Sequence, residues 1–202
     1  MTTSPVPEPA APPAWLAGPV RYLDHVAEVC TTPGGRADLA SGHSLRALAE
    51  PWRMLPHIRA RIPRYAGETK IAYLAVAAMY AAYAPNPALH RYAPVSSYDP
   101  GHGNFGWTLA RAVRHGVLRD ETATALLQRL ARQRQLPSLI RHLQPVIRQL
   151  ADKQVPLSWP RLLNDLTRWP SHRTEVADQW MYSHYAPIPQ PADAEETGAA
   201  AA

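Results

Sequence analysis

The sequence contains a single cysteine, Cys30, and therefore cannot form an internal disulfide. A lone thiol is typical of proteins in the reducing cytoplasm. The longest apolar run, from Ile71 to Tyr83, is rich in alanine and well short of the roughly 20 residues that a membrane span needs. The N-terminus lacks the basic start and apolar stretch of a signal peptide. We therefore expect a cytoplasmic protein that does not bind membranes.

The motifs of common enzymes are also absent. There is no HExxH sequence, no Walker loop, no GxSxG and no pair of Cys or His residues at metal-ligand spacing. The carboxylates are too dispersed for an acid–base pair or a two-metal nuclease. Residues 101–104 resemble a phosphate-binding turn before a helix, but without a preceding strand an ordinary loop and N-cap is the better interpretation. We predict no catalysis, no cofactor and no metal.

Alternating β-branched residues and Asn-Gly turns are missing, so strands are not expected. Apolar residues instead recur at helical spacing from Trp15 to Tyr185, which predicts an all-α fold. A break is expected over 31–35, a turn-rich connection over 86–104, and disordered Pro/Ala-rich tails over 1–14 and, with acidic residues, over 186–202. The predicted helices span 15–29, 36–40, 45–49, a segment opened by Pro51, 69–83, 105–115, 121–133, 138–150, 159–168 and 171–185.

Local patterns add detail to these helices. Asn104 is expected to cap one helix and Asp120 the next. Trp52 is expected to face the core. Core packing is also the expected role of Trp159, Trp169 and Trp180.

The charge of the central part of the chain is strongly positive. The whole sequence has 21 basic and 16 acidic residues. Four of the acids lie in the two tails, so residues 15–185 carry a net charge of +9. Nineteen of the basic residues are arginine, whose planar guanidinium binds phosphate in a bidentate manner. Codon bias also produces arginine, so the sign of the charge is the better indication of a polyanionic partner.

Two predicted helices separate arginines from apolar residues. In the helix from Ser138, Arg141 and Arg148 lie about 20° apart and about 10 Å apart along the axis, opposite a continuous apolar stripe. In the helix after Asn104, Arg111 and Arg114 share a face with Trp107. We expect no carboxylate within one helical turn of either pair. A single arginine on such a face is more often merely solvated, so only the recurrence of such faces on several helices indicates a shared positive surface.

The order of short motifs resembles CasB, the small subunit of the type I-E CRISPR surveillance complex Cascade. The resemblance covers most of residues 15–185. It consists of Gly35-Arg36-Ala37-x-Leu39, Lys70-x-x-Tyr73-x-Ala75-Val76-Ala77-Ala78, Gly103-Asn104-Phe105-Gly106-x-x-Leu109-Ala110-Arg111, Leu136-Pro137-x-Leu139-x-Arg141-His142-Leu143, Val155-Pro156-Leu157-x-Trp159-x-x-Leu162-Leu163-x-Asp165-Leu166-x-x-Trp169, and Val176-x-x-x-Trp180 to Tyr185.

The resemblance implies a non-catalytic, all-α protein with two small lobes, roughly 15–100 and 101–185, present as a pair of copies beside other Cascade subunits. It implies that a basic surface holds crRNA, target DNA and the displaced non-target strand and so steadies the R-loop. By position, the implied nucleic-acid contacts are Arg111, Arg141 and Arg148, followed by Arg36, Arg53, Arg59, Arg114 and Arg132. Residues 41–49 depart from the family by retaining only Arg46, which leaves their contribution open.

Two other hypotheses remain open at this point. A helical adaptor could use the same arginine faces to bind an acidic protein partner. An enzyme with an unrecognised site would instead depend strictly on one or two residues, whereas a binding surface would lose affinity gradually as arginines are removed.

Overall fold

The computed structural model describes residues 12–62, 67–84 and 103–186, and within these ranges the chain is all-α, as predicted, with no β-strand. Most of the predicted tails and of the 86–104 connection lie outside the described residues. Short 3-10 turns occupy Ala14–Leu16 and Arg59–Arg61. The α-helices are α1 (Ala17–Val29), α2 (Pro33–Ala40), α3 (Leu45–Ala49), α4 (Leu55–Ile58), α5 (Glu68–Tyr83), α6 (Phe105–Arg114), α7 (Asp120–Ala131), α8 (Leu136–Asp152) and α9 (Trp159–Tyr185).

Side-chain caps set several helix starts. The Asn104 side chain accepts the Trp107 amide at 3.2 Å, which confirms the predicted cap of α6. The Thr32 hydroxyl accepts the Gly35 amide, so α2 begins at Pro33 and the predicted break over 31–35 is too long. Proline fits the first turn because its missing N–H would have no helical partner there. The predicted cap at Asp120 is one residue late, since Asp120 is already helical.

The alanine-rich helix α5 lies at the centre of the core. It packs against α1, α2, α8 and α9, and nine of its residues are buried. Small side chains allow neighbouring helices to approach it on several sides. One continuous cluster of buried residues joins α1 to α9, and the two-lobe division stays a prediction.

The prediction for Trp52 is wrong, because 71% of its surface is exposed in the turn before α4.

Helix α9 bends where two helices were predicted. His172 has non-helical angles (φ −130°, ψ 32°) two residues after Pro170. Its two segments carry Trp169 and Trp180, whose rings are 5.4 Å apart in the core, as predicted for these residues. Helix α6 packs closely on the second segment, where Gly106 meets the Trp180 backbone. Among the described residues, no helix combines the length and hydropathy that crossing a bilayer requires.

Candidate nucleic-acid interface

Helix α8 presents the arginine pair that the sequence predicts. Its apolar stripe, from Leu139 to Leu150, is buried, and Arg141 and Arg148 are exposed on the other side. Neither arginine forms an ion pair with a residue that the structure describes. The expectation of a carboxylate-free face is wrong at one end, because Asp152 follows Arg148 by one turn. Both guanidinium groups are nevertheless open to an external anion.

Helix α6 holds the second predicted pair. The Arg111 guanidinium lies 5.3 Å from the centre of the Trp107 ring, and both side chains are half-buried. This cation–π contact fixes the orientation of Arg111. Arg114, one turn later, is exposed. Arg111 is therefore a donor held in position by Trp107.

Helix α7 packs against both α6 and α8, and Arg132 is exposed at its C-terminal end. Residues 103–152 contain eight arginines, seven of them exposed, and only three carboxylates. Two of those carboxylates, Asp120 and Glu121, lie in the first turn of α7, where the helix dipole stabilises them. We call Arg111, Arg114, Arg132, Arg141 and Arg148 the α6–α8 arginines.

The candidate residues in the first half of the chain have different surroundings. Arg36 Nη2 donates to the carbonyl oxygen of Ala84 at 2.6 Å, so this side chain ties α2 to the end of α5. Arg53 donates from Nε and Nη2 to Asp38 Oδ1, at 3.0 and 2.7 Å. Arg59 is exposed in its 3-10 turn. Arg36 and Arg53 therefore already form hydrogen bonds with distant parts of the chain. Of these three arginines, only Arg59 has a side chain that forms no hydrogen bond or ion pair with another described residue.

Asp38 accepts contacts from two side chains, His57 and Arg53. Its Oδ2 lies 3.0 Å from His57 Nε2, while Oδ1 accepts from Arg53. The hydrogen bonds from His57 and Arg53 lower the pKa of Asp38 below its usual 3.8. A carboxyl whose folded pKa is depressed adds stability above its unfolded pKa, and that stability is lost as the pH falls through the folded pKa.

We therefore expect Asp38→Asn to lower the melting temperature at pH 7, with a deficit that shrinks as the pH falls below 3.8. Thermal melts followed by circular dichroism between pH 2.5 and 7 would measure it. Glu50→Gln is the matched control, because Glu50 is exposed and makes no ion pair within the described residues. Identical pH profiles for the two variants would contradict the role of Asp38.

A cleft that the sequence analysis did not anticipate lies beside α9. Its volume is about 630 Å³, and it is lined by Trp15, Asn104, Arg161, Asn164, Asp165, Arg168, Asp178, Gln179, Tyr182 and Ser183. The Arg161 guanidinium lies 5.3 Å from the Trp15 ring centre. Asp165 is buried and accepts the Trp180 indole N–H at 2.7 Å. Burial raises the pKa of Asp165 to about 6, against the opposing effects of Trp180, Arg161, Asn164 and Arg168.

The recurrence of arginine at helical spacing could have indicated part of this cleft. Arg161 and Arg168 are seven residues apart, as are Arg141 and Arg148, and therefore share a face of α9. The contribution of Trp15 depends on tertiary packing, which local periodicity does not encode.

No group of three or more His, Cys, Asp or Glu side chains in the described ranges is arranged to hold a metal ion.

Comparison with known proteins gives the family. The CRISPR-associated protein Cse2 family matches residues 35–185. A chain of a CRISPR RNA-guided surveillance complex is 25% identical, with a TM-score of 0.71 over 85% of this chain and 93% of that one. A second, from such a complex in a pre-nicking form, is 26% identical, with a TM-score of 0.68 over 84% of this chain and 93% of that one.

More distant structures share the fold. CasB from M. ruber is 19% identical, with a TM-score of 0.59 over 92% of this chain and 98% of its own. No curated protein matches. Because the family match covers most of the helices described above, including α6–α9, the chain belongs to the Cse2, or CasB, family of CRISPR-associated proteins, as the resemblance predicts.

Proposed function

We propose that this protein is a non-catalytic subunit of a CRISPR RNA-guided surveillance complex, in which its α6–α8 arginines bind nucleic-acid backbone and steady the R-loop. The observation that carries this proposal is the excess of exposed arginines on α6–α8, in a chain of the Cse2 family. Likeness to chains of CRISPR RNA-guided surveillance complexes supports other subunits of such a complex as its partners, and the proposal adds crRNA, target DNA and a second copy of the chain.

The physical role follows from the balance of base pairs in an R-loop. The RNA–DNA duplex that forms is about as stable as the DNA duplex that it replaces, so modest contacts to the backbone shift the equilibrium. Arginines on neighbouring helices supply such contacts without depending on the base sequence. Contacts to phosphates position a protein on the strand, whereas contacts to bases give sequence specificity. Arg36 and Arg53 contribute to the fold through Ala84 and Asp38, and the binding role falls mainly on the α6–α8 arginines.

Removal of Arg141 and Arg148 should weaken binding in a salt-dependent manner. With about five contacts to a single strand, the slope of log K against log salt is near −3.5, and the double variant Arg141→Gln, Arg148→Gln should reduce it to about −2.1. At 0.1 M salt this corresponds to a loss of roughly 25-fold in affinity. Fluorescence-anisotropy titration of single-stranded DNA at several salt concentrations would measure both quantities.

Arg21→Gln, Arg61→Gln is the matched control, since it removes two exposed arginines that lie outside the α6–α8 arginines. Equal losses in the two double variants would mean that net charge, and not this surface, governs binding. Failure of the wild type to bind DNA or RNA at low salt, alone and in the complex, would overturn the proposal and favour an acidic protein partner.

A further inference from the structure

The cleft beside α9 is formed by side chains from both sides of the bend. Arg161, Asn164, Asp165 and Arg168 recur at helical spacing on the first segment, and Asp178, Gln179, Tyr182 and Ser183 do so on the second. Trp15, from the 3-10 turn Ala14–Leu16, and Asn104, at the start of α6, complete the lining. The bend at His172 therefore turns two faces of one helix toward a common space.

Two large aromatic side chains line this cleft and remain open to solvent. Trp15 is 50% exposed and Tyr182 is 79% exposed, and they are two of the four large hydrophobic side chains in the described residues that are exposed. Arg161 lies over the Trp15 ring, so a planar guanidinium and an aromatic face stand together at the cleft. Aromatic rings and guanidinium planes are the surfaces on which unpaired nucleobases stack.

The charge of the cleft differs from that of α6–α8. Arg161 and Arg168 are balanced by Asp165 and Asp178, and Arg168 also pairs with Glu175 at 2.8 Å. Such a site gives little net attraction to a phosphodiester. The side chains of Asp178 and Gln179 make no hydrogen bond with a described residue, which leaves acceptors and an amide donor beside the aromatic rings. A neutral planar group with both donors and acceptors along its edge matches this chemistry.

We propose that the cleft takes a nucleobase from a single strand, stacked on Trp15 or Tyr182 with its edge toward Gln179 and Asp178. A volume of about 630 Å³ is ample for one base with its sugar. This inference rests on the proposed function, and it adds a contact that depends on the base and not on the phosphate. The backbone of the same strand then follows the arginines outside the cleft.

An oligonucleotide without bases separates this contact from binding to phosphate. The probes are a 12-nucleotide dT strand and a fully abasic strand of equal length, which carry the same number of phosphates. Wild-type protein should bind dT about 5-fold to 150-fold more tightly, the range expected for one stacked base. The double variant Trp15→Ala, Tyr182→Ala should reduce dT affinity to that of the abasic strand, whereas Trp15→Phe should retain most of the preference.

Trp52→Ala is the matched control, because it removes an even more exposed tryptophan, one outside the cleft, and should leave the preference intact. The salt slope should be the same in all these variants, since no phosphate contact is removed. The base site would be overturned, and the proposed function left standing, by either of two results. One is equal affinity of the wild type for the two strands, and the other is an equal loss of affinity for both strands in the Trp15→Ala, Tyr182→Ala variant. Absence of binding to either strand at 50 mM salt would overturn both.

Discussion

Replacing Gly106 with alanine is expected to destabilise the protein by about 3 kcal/mol or more, which is a large part of the 5–15 kcal/mol typical of a folded domain. A Cβ at this position would overlap the carbonyl oxygen of Trp180 and would lie 2.6 Å from its carbonyl carbon. Both atoms belong to the backbone of α9 and cannot move aside by a change of rotamer. Relief of the overlap requires α6 and α9 to separate, which opens the core around Phe105 and Trp180.

Urea unfolding followed by tryptophan fluorescence would measure the change. Gly18→Ala is the matched control, since a Cβ there meets nothing within 4 Å and the residue lies in the first turn of α1. Alanine at Gly18 should stabilise the protein by up to about 1 kcal/mol through its higher helix propensity. If Gly106→Ala unfolded at the same urea concentration as the wild type, the close approach of α6 and α9 would be wrong.

This contact also explains a motif within the sequence resemblance. In Gly103-Asn104-Phe105-Gly106, Asn104 caps α6 and its amide donates to the Gln179 carbonyl at 3.1 Å and the Ser183 hydroxyl at 2.9 Å. Gly106 then allows the two backbones to touch. The motif therefore fixes how α6 lies on α9, and with it the direction in which Arg111 and Arg114 point.

The arginine faces of α6 and α8 could be predicted because they follow from local periodicity. Once a segment is helical, the positions of Arg141 and Arg148 opposite the stripe from Leu139 to Leu150 are fixed by 3.6 residues per turn. Helix boundaries were less predictable, since caps such as Thr32 and the bend at His172 depend on individual hydrogen bonds and backbone angles.

Contacts between distant segments could not be predicted from such patterns. The stretch from Arg53 to Arg64 has no acidic residue, yet Asp38, fifteen positions before Arg53, pairs with it. Arg36 likewise meets a carbonyl 48 residues away. Trp52 has the side chain of a core residue but lies in a turn that leaves it exposed. In each case tertiary packing decides whether a side chain is available to a ligand.

Replacing Asp165 with asparagine is expected to remove a pH-dependent loss of stability. Burial raises the pKa of Asp165 from 3.8 to about 6, so the protonated form is the one that the fold favours. The resulting stability is fully present below pH 3.8 and is lost as the pH rises through about 6. Ionisation in the folded state therefore costs up to about 3 kcal/mol at neutral pH, at 1.36 kcal/mol for each unit of pKa.

Asparagine retains an oxygen that accepts the Trp180 indole N–H but carries no charge to desolvate. The variant should therefore gain stability over the wild type as the pH rises. Its unfolding free energy minus that of the wild type should be larger at pH 7.5 than at pH 4, by up to about 3 kcal/mol. Urea unfolding at the two pH values measures this double difference, in which the titration of all other groups cancels. Asp178→Asn removes the same charge from an exposed position on α9 and should leave the double difference near zero. Parallel pH profiles for Asp165→Asn and the wild type would show that Asp165 ionises freely, and that the floor of the cleft is more hydrated than its burial indicates.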